Sequence, residues 1–362
     1  MKICFFGSSL VSSYWNGAAT YYRGMLKEIA VLGHEITFYE PDAFERQAHR
    51  DIADPPWARV SVYPATADGW QRALSQASKS ADVLIKASGV GVFDRELECA
   101  IAQGSTDAIR IYWDVDAPAT LDAIAGDPGH HLRDAIPRYD MVLTYGGGDP
   151  VVEAYRAVGA QDCVPLYNAL DPETHFPAPS NPKFACDLGL LANRLPDREA
   201  RVESFFLEVA KNLPDKRFVL GGSGWETKQA PENVRKLGHV GTNDHCAFFS
   251  SGLATLNVNR DSMAKYGFSP PTRVFEAVGA GACLITDRWK GIDLFLEPDR
   301  EVLVASDGAE VAEHLRALDP ARARAMAERA RVRILAHHTY AQRARQFNQL
   351  LDGMSTEIEA AE

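Results

Sequence analysis

Between residues 171 and 182 four prolines fall within twelve positions, Asp171-Pro-Glu-Thr-His-Phe-Pro-Ala-Pro-Ser-Asn-Pro182. Proline lacks a backbone N–H and fixes φ, so such a run continues neither a helix nor an interior strand. It reads as a linker, and it parts 362 residues into two stretches of ordinary domain size. On both sides short apolar runs alternate with amphipathic segments of helical period. Ahead of the linker the pattern predicts strands over 2–6, 35–39, 60–63, 82–86, 109–113, 139–145 and 163–166. Helices are predicted there over 21–32, 68–78, 94–103 and 151–158. Beyond it, strands over 184–191, 217–220, 234–240, 254–257, 282–286 and 301–305 interleave with helices over 198–211, 309–318 and 322–337 and a short helical piece over 246–249. Repeated strand–helix–strand units build parallel sheets. The expectation is α/β, with two doubly wound domains over 1–170 and 183–339 joined by 171–182. Ligands of such sheets lie beyond the C-terminal strand ends, so the two domains are expected to face each other across a cleft.

Charge narrows the partners. Thirty-eight basic against 49 acidic residues give −11, the wrong sign for nonspecific nucleic-acid or anionic-membrane binding. No apolar run approaches a membrane span, and the opening Met1-Lys-Ile-Cys-Phe-Phe-Gly7 is too short for a signal peptide. Six scattered cysteines without a C-x-x-C read as small core residues of a reducing compartment, which points to the cytoplasm. The loop Gly7-Ser-Ser-Leu after the first strand lacks the G-x-G-x-x-G of a dinucleotide fold, and no cofactor is expected.

The most informative stretch runs over 266–287. Ser269 reads as an N-cap, with Pro270 and Pro271 in a first turn where a missing N–H costs little. The N–H groups around Thr272 and Arg273 then face outward at the positive end of the helix dipole, a ready diphosphate site. Glu276 follows one turn later, placed to accept hydrogen bonds from a ribose diol. Gly279 and Gly281 let the chain turn into the strand over 282–286. The plainer alternative is an ordinary αβ unit with Arg273 and Glu276 as a solvated pair. Strand ends elsewhere in this half carry Asn193, Arg194 and Arg198, then Gly222, Ser223 and Gly224, then His239 and Val240. A guanidinium offers a fork of donors to phosphate, which favours Arg194. Arg198, at i,i+4 from it, equally suits a surface pair.

Arg273-Val-Phe-Glu276-Ala, Gly-Ala-Cys-Leu-Ile-Thr-Asp287 and Glu301-Val-Leu-Val resemble the nucleotide-sugar half of GT-B glycosyltransferases. Asn257-Val-Asn259-Arg260 and His338-Thr-Tyr340 with Arg343 extend the resemblance, which covers most of 184–350. Within that class the chain is similar to the CgeB-like, or spore-maturation-protein-like, family. The resemblance implies two Rossmann-like domains and a terminal helix over 340–351 that crosses back to the first. It implies a nucleotide diphosphate sugar as donor and a small-molecule, glycan or protein acceptor. The backbone at His239 and Val240 would pair with the base edge, and Tyr14-Trp15-Asn16-Gly17 would form an acceptor loop. One departure stands out. Many retaining enzymes of this fold carry E-x7-E, and the first glutamate position is Phe268 here.

An acceptor hydroxyl must lose a proton as it attacks, which calls for a carboxylate or histidine in the first domain. Asp114 and Asp116 follow the apolar strand over 109–113, and Asp114 is the favoured base. Asp116, before Ala-Pro118, equally reads as a turn cap, and His130 and His131 are alternatives on a loop. Asp114-Val-Asp116 is literally a D-x-D, yet a GT-B layout neutralises the leaving diphosphate with a helix end and arginines, so no metal is expected. An epimerase or phosphorylase on the same scaffold, and a nucleotide-sugar binding protein without catalysis, remain open alternatives. Oligomeric state, base, sugar and stereochemistry are not legible.

Overall fold

The computed structural model describes residues 1–14 and 16–361, with side chains described as far as Met354. Trp15 of the expected acceptor loop lies outside the described residues. Met1–Tyr167 together with the terminal helix Tyr340–Ala361 make one compact unit, and Asn168–Thr339 make the other.

Seven parallel strands form the first unit's sheet: β1 (Lys2–Phe6), β2 (Glu35–Asp42), β3 (Ala58–Pro64), β4 (Val83–Ala87), β5 (Ile109–Asp114), β6 (Met141–Thr144) and β7 (Cys163–Pro165). Their order is β3-β2-β1-β4-β5-β6-β7. The second unit adds β8 (Cys186–Leu191), β9 (Phe218–Gly221), β10 (Val234–Gly238), β11 (Gly252–Asn257), β12 (Leu284–Asp287) and β13 (Leu303–Ala305), all parallel. Their order is β10-β9-β8-β11-β12-β13. Each sheet starts in its middle and reverses direction once, between β1 and β4 and between β8 and β11. Helices cover both faces, so central strands are apolar throughout rather than alternating. In β4, Val-Leu-Ile-Lys-Ala is buried at every position.

Stacked aromatics close the first core. The Phe5 ring lies 5.2 Å from Phe38 in parallel and 5.2 Å from Tyr22 edge-on. The terminal helix seals this side, because Gly24 has no side chain to collide with the Tyr340 ring. The second core gathers Leu188, Leu190, Phe206, Leu220, Leu256 and Ile285, each worth about 1.5–3 kcal/mol on burial.

Several boundaries differ from expectation. The helix expected from Ser269 spans Thr272–Gly279, with Pro271 as its N-cap and no side-chain cap. Ser269 and Pro270 each precede a proline, which bars them from the helical region, so the helix starts only after Pro271. Ser269 instead donates its hydroxyl to the Gly267 carbonyl at 3.0 Å. Helices Ala117–Gly126 and Asp261–Tyr266 were not anticipated. In the former Pro118 occupies the second helical position, where its ring assists the start. The proline-rich 171–182 carries neither helix nor strand, but it is pinned to the second unit. Ser250 and Ser251 hydroxyls accept the N–H groups of Ala178 and Asn181 at 3.0 and 2.8 Å.

Candidate functional site

The C-terminal ends of β8 and β9 are tied into one surface. Arg194 N–H donates to the Ser223 carbonyl at 2.9 Å, and Ser223 N–H donates to Asn193 Oδ1 at 3.0 Å. Gly222, at φ 119, passes so near Ala192 that any Cβ would collide with its carbonyl. Trp225 fills the space below and donates to the Ala192 carbonyl at 2.6 Å. The Arg194 guanidinium is already engaged: Nε and Nη2 each reach the Glu199 carboxylate at 2.8 Å. Lys228 joins at 3.1 Å. The Arg194 and then the Lys228 hydrogen bonds hold the Glu199 carboxyl down to about 2.

Arg198 is placed differently. In the first turn of the helix Pro196–Val202, it faces the ends of β11 and β12, where Arg273, Arg260, Asp197 and Asp287 all act on it. Its Nε is buried without a hydrogen bond. Among the described residues its guanidinium has no ion-pair partner. Burial, then repulsion by Arg273 and Arg260, brings it down to about 10. The neighbouring acids are taken. Asp197 accepts from Arg260 Nε at 2.6 Å, and Asp287 accepts from Arg201 at 2.6 Å. Asp287 also accepts the Asn259 N–H at 3.2 Å. Arg273 donates weakly to Asn257 Oδ1 at 3.4 Å. Arg198, Arg201, Arg260 and Arg273 thus meet Asp197, Asp261 and Asp287, an excess of positive charge at the reversal point of the sheet.

The helix Thr272–Gly279 begins beside this cluster. Thr272 and Arg273 are its first two residues, ahead of the first i to i−4 bond, so their N–H groups face forward. Glu276 is half-buried one turn on, and among the described residues its carboxylate has neither hydrogen bond nor ion pair. It acts electrostatically on Arg273 and on His245. His239 is exposed and Val240 buried. The Val240 carbonyl is met by His245 Nε2 at 3.3 Å. Phe268 takes a left-handed φ of 47 under Lys290, whose Nζ is 5.3 Å from the ring centroid.

In the first unit the expected site residues separate. Asn16 is a scaffold: it accepts from the Ser8 hydroxyl at 2.8 Å and donates to the Ser9 and Ser12 carbonyls at 2.9 Å each. Tyr14 is exposed and stacks on His49 at 4.1 Å, and Gly17 is exposed beside open space. Asp114, the expected base, is fully buried and accepts from Ser88 Oγ at 2.7 Å, from the Tyr155 hydroxyl and from Asp116 N–H at 2.9 Å. A carboxylate so enclosed holds the strand end in place and is out of reach of an acceptor hydroxyl. Asp116 is half-buried as the N-cap residue of Ala117–Gly126. His131 bonds Glu98 at 2.6 Å beside the buried Lys86, and His130 stacks on His131. Among the described residues no three His, Cys, Asp or Glu side chains group as metal ligands, and no helix is long and apolar enough to cross a membrane.

Sequence reasoning left Arg260, Arg201 and Asp287 out of the site. For Arg260 and Asp287 the available signal was polar residues at or just past the ends of the apolar strands β11 and β12; Arg201, in the helix Pro196–Val202, carried no such signal.

Two doubly wound parallel-sheet units of this order define the GT-B class, and the chain has that fold. Residues 198–349 match the family model described as glycosyl transferase-like. Sucrose-phosphate synthase from Thermosynechococcus elongatus superposes with a TM-score of 0.72 at 14% identity, over 99% of this chain and 100% of that one. Anabaena HepE, in complex with UDP and glucose, gives 0.67 at 13% identity, over 98% of this chain and 100% of that one. Phage T4 BGT, in complex with its UDP-glucose substrate, gives 0.59 at 11% identity, over 96% and 99%. No curated protein matches the chain.

Proposed function

We propose that this protein is a glycosyltransferase that takes a sugar from a nucleoside diphosphate sugar bound to its second unit. The observation that carries this reading is Arg198, a guanidinium with a buried, unpaired Nε among two further arginines at the sheet's reversal point. A cation left without a counter-ion is costly, and a diphosphate supplies the missing charge. Arg198, Arg273 and the N–H groups at Thr272 and Arg273 hold it. As the sugar departs they stabilise the charge that grows on the leaving group, so no metal is required. Glu276 accepts the ribose hydroxyls, and the Val240 N–H meets the base. Gly222, Ser223 and Asn193 form the wall, and Arg194, bound to Glu199, braces it. Uridine is the favoured base, since HepE and T4 BGT were solved with uridine nucleotides.

The first unit supplies the acceptor and its proton acceptor. Asp116 takes that role in preference to the enclosed Asp114, which positions it through the Asp116 N–H. The motifs around Asn257-Val-Asn259-Arg260 support placing the chain with the CgeB-like proteins, and six free thiols support a cytoplasmic location. The test is UDP release from UDP-sugars with and without an acceptor mixture, in EDTA. Acceptor-dependent release, reduced about 10²–10⁴-fold by Asp116→Asn, is expected. Release only on addition of a divalent cation, or isomerised donor without acceptor, would overturn the reading.

A further inference from the structure

β11 and β12 lie side by side, with Asn257 opposite Thr286 in the register. Asp287 follows one residue on, so the two strand ends present an amide and a carboxylate. Asn257, Thr286 and Asp287 are all fully buried. Each end faces an arginine. Asp287 accepts from Arg201 at 2.6 Å and cancels its charge. Asn257 Oδ1 accepts from Arg273 Nη1 at 3.4 Å and leaves that charge standing. Among the described residues no carboxylate forms an ion pair with Arg273, and its side chain is half-buried and in contact with solvent.

The Asn257 amide has one way round. Arg273 offers only donors, so the atom that meets it is the amide oxygen. Nδ2 then donates to Thr286 Oγ1 at 3.1 Å and to Asn259 Oδ1 at 3.2 Å. Thr286 can accept because its own hydroxyl hydrogen goes to Asp287 Oδ1 at 3.2 Å. The oxygen and both hydrogens of the amide are therefore used, and the side chain is locked. A group held this firmly sets where the guanidinium lies. The contact to Arg273 is the longest of the set, so it directs the cation without tying it down.

What this position avoids is an acid. A carboxylate at 257 would take Arg273 as Asp287 takes Arg201, in a charge-assisted bond about twice as strong as one to a neutral amide. Arg194 shows the outcome in the same unit. Its Nε and Nη2 both go to the Glu199 carboxylate at 2.8 Å, and the guanidinium is spent.

We propose that Asn257 is a positioning residue for the donor, which aims the Arg273 guanidinium at the diphosphate and keeps its charge uncancelled. The role rests on the glycosyltransferase reading, since it needs a diphosphate at the head of the helix Thr272–Gly279. Asn257 does not touch the substrate and acts through Arg273.

The experiment is calorimetric titration of UDP into the parent, Asn257→Asp, Arg273→Gln and the double variant, with urea unfolding of each. Asn257→Asp keeps the size of the side chain and replaces a neutral acceptor with a charged one. Asn259 accommodates it, because its Nδ2 is buried with no acceptor and can turn to meet the new oxygen. In the parent background Asn257→Asp should weaken UDP about tenfold or more. In the Arg273→Gln background the same change should weaken it less than about threefold, as no guanidinium is left to capture. A negative charge acting on UDP through space, or a merely structural role, would give equal losses in both backgrounds. Equal losses, or undiminished UDP binding by Asn257→Asp, would overturn the proposal. Should Asn257→Asp lose its cooperative unfolding, Asn257→Ala decides, since it removes the acceptor and adds no charge. About threefold or greater weakening is then expected in the parent background and none in Arg273→Gln. The same change in both, zero included, would overturn the role. Failure of the parent to bind UDP would overturn the donor reading and the role with it, whereas UDP binding indifferent to residue 257 strikes the role alone.

Discussion

β5 and β12 occupy the same place in their sheets, each the second strand past the reversal point, and each ends in a fully buried aspartate. Asp114 is held by neutral donors, the Ser88 and Tyr155 hydroxyls and a backbone N–H. Asp287 is held by a cation, Arg201, together with the Asn259 N–H. The surroundings differ in the same sense. Past β8 and β11 arginines outnumber the acids beside them, and among the described residues Arg198 forms no ion pair. Past β1 the loop is stitched by Ser8, Ser9, Asn16 and Glu40. The same winding therefore makes one strongly cationic surface and one mostly self-satisfied one. The difference lies in which polar residues the strand ends carry, not in the sheets.

The largest effect should come from breaking the charged member of the pair. Asp287→Ala takes from the largely buried Arg201 its closer partner, leaving Asp261 at 3.5 Å, and should cost about 3–5 kcal/mol in urea unfolding. A loss no larger than that of Asp114→Asn would erase the distinction drawn between the two aspartates. Glu276→Ala should come next, in binding rather than stability. It should weaken UDP by ~1.5–3 kcal/mol and remove any preference for UDP over its 2′-deoxy analogue, as hydrogen bonds to a carboxylate require. If the mutant still distinguishes ribose from deoxyribose, Glu276 is not at the diol. Asp114→Asn should cost about 1–3 kcal/mol of stability, the range for leaving buried partners unsatisfied, with UDP affinity unchanged. A fully stable variant with turnover lowered by about 10²–10⁴ would instead return Asp114 to the role of base.

The fold was largely legible because strands buried on both faces are continuous apolar runs and the proline-rich segment cannot belong to either sheet. The misplaced helix start at Ser269 shows where local signals compete: a good cap residue lost to two successive prolines. The helix Ala117–Gly126 was hidden because Asp116-Ala-Pro118 reads equally as a turn. The arginines of the site were visible, but their states were not. Arg194 was favoured for the fork of donors a guanidinium offers to phosphate, yet it precedes the helix Pro196–Val202 and folds back on Glu199, five residues on. Arg198, inside the helix, has no such route. Asp114 looked like a base because its partners, Ser88 and Tyr155, come from 26 and 41 residues away.

The smallest expected effect concerns that bracing pair. Held by Arg194 and Lys228, the Glu199 carboxyl should titrate near about 2 rather than at its ordinary 4.5. Its folded value is depressed, so whatever it adds to stability is present above about 4.5 and fades as pH falls toward about 2. Carbon-13 NMR of the carboxyl should place that midpoint, and Arg194→Gln should move it upward. A midpoint that stays put in the variant would mean the pair does not form in solution.

The central claim is that Arg198 waits for a diphosphate. Calorimetric titration of the parent and of Arg198→Gln with UDP and with UMP tests it most directly. The account predicts that the parent binds UDP more tightly than UMP. It predicts too that Arg198→Gln loses about ten- to hundredfold in UDP affinity while UMP changes little, the span for a charge-assisted contact. Equal affinity of the parent for UDP and UMP, or undiminished UDP binding by the variant, would contradict it.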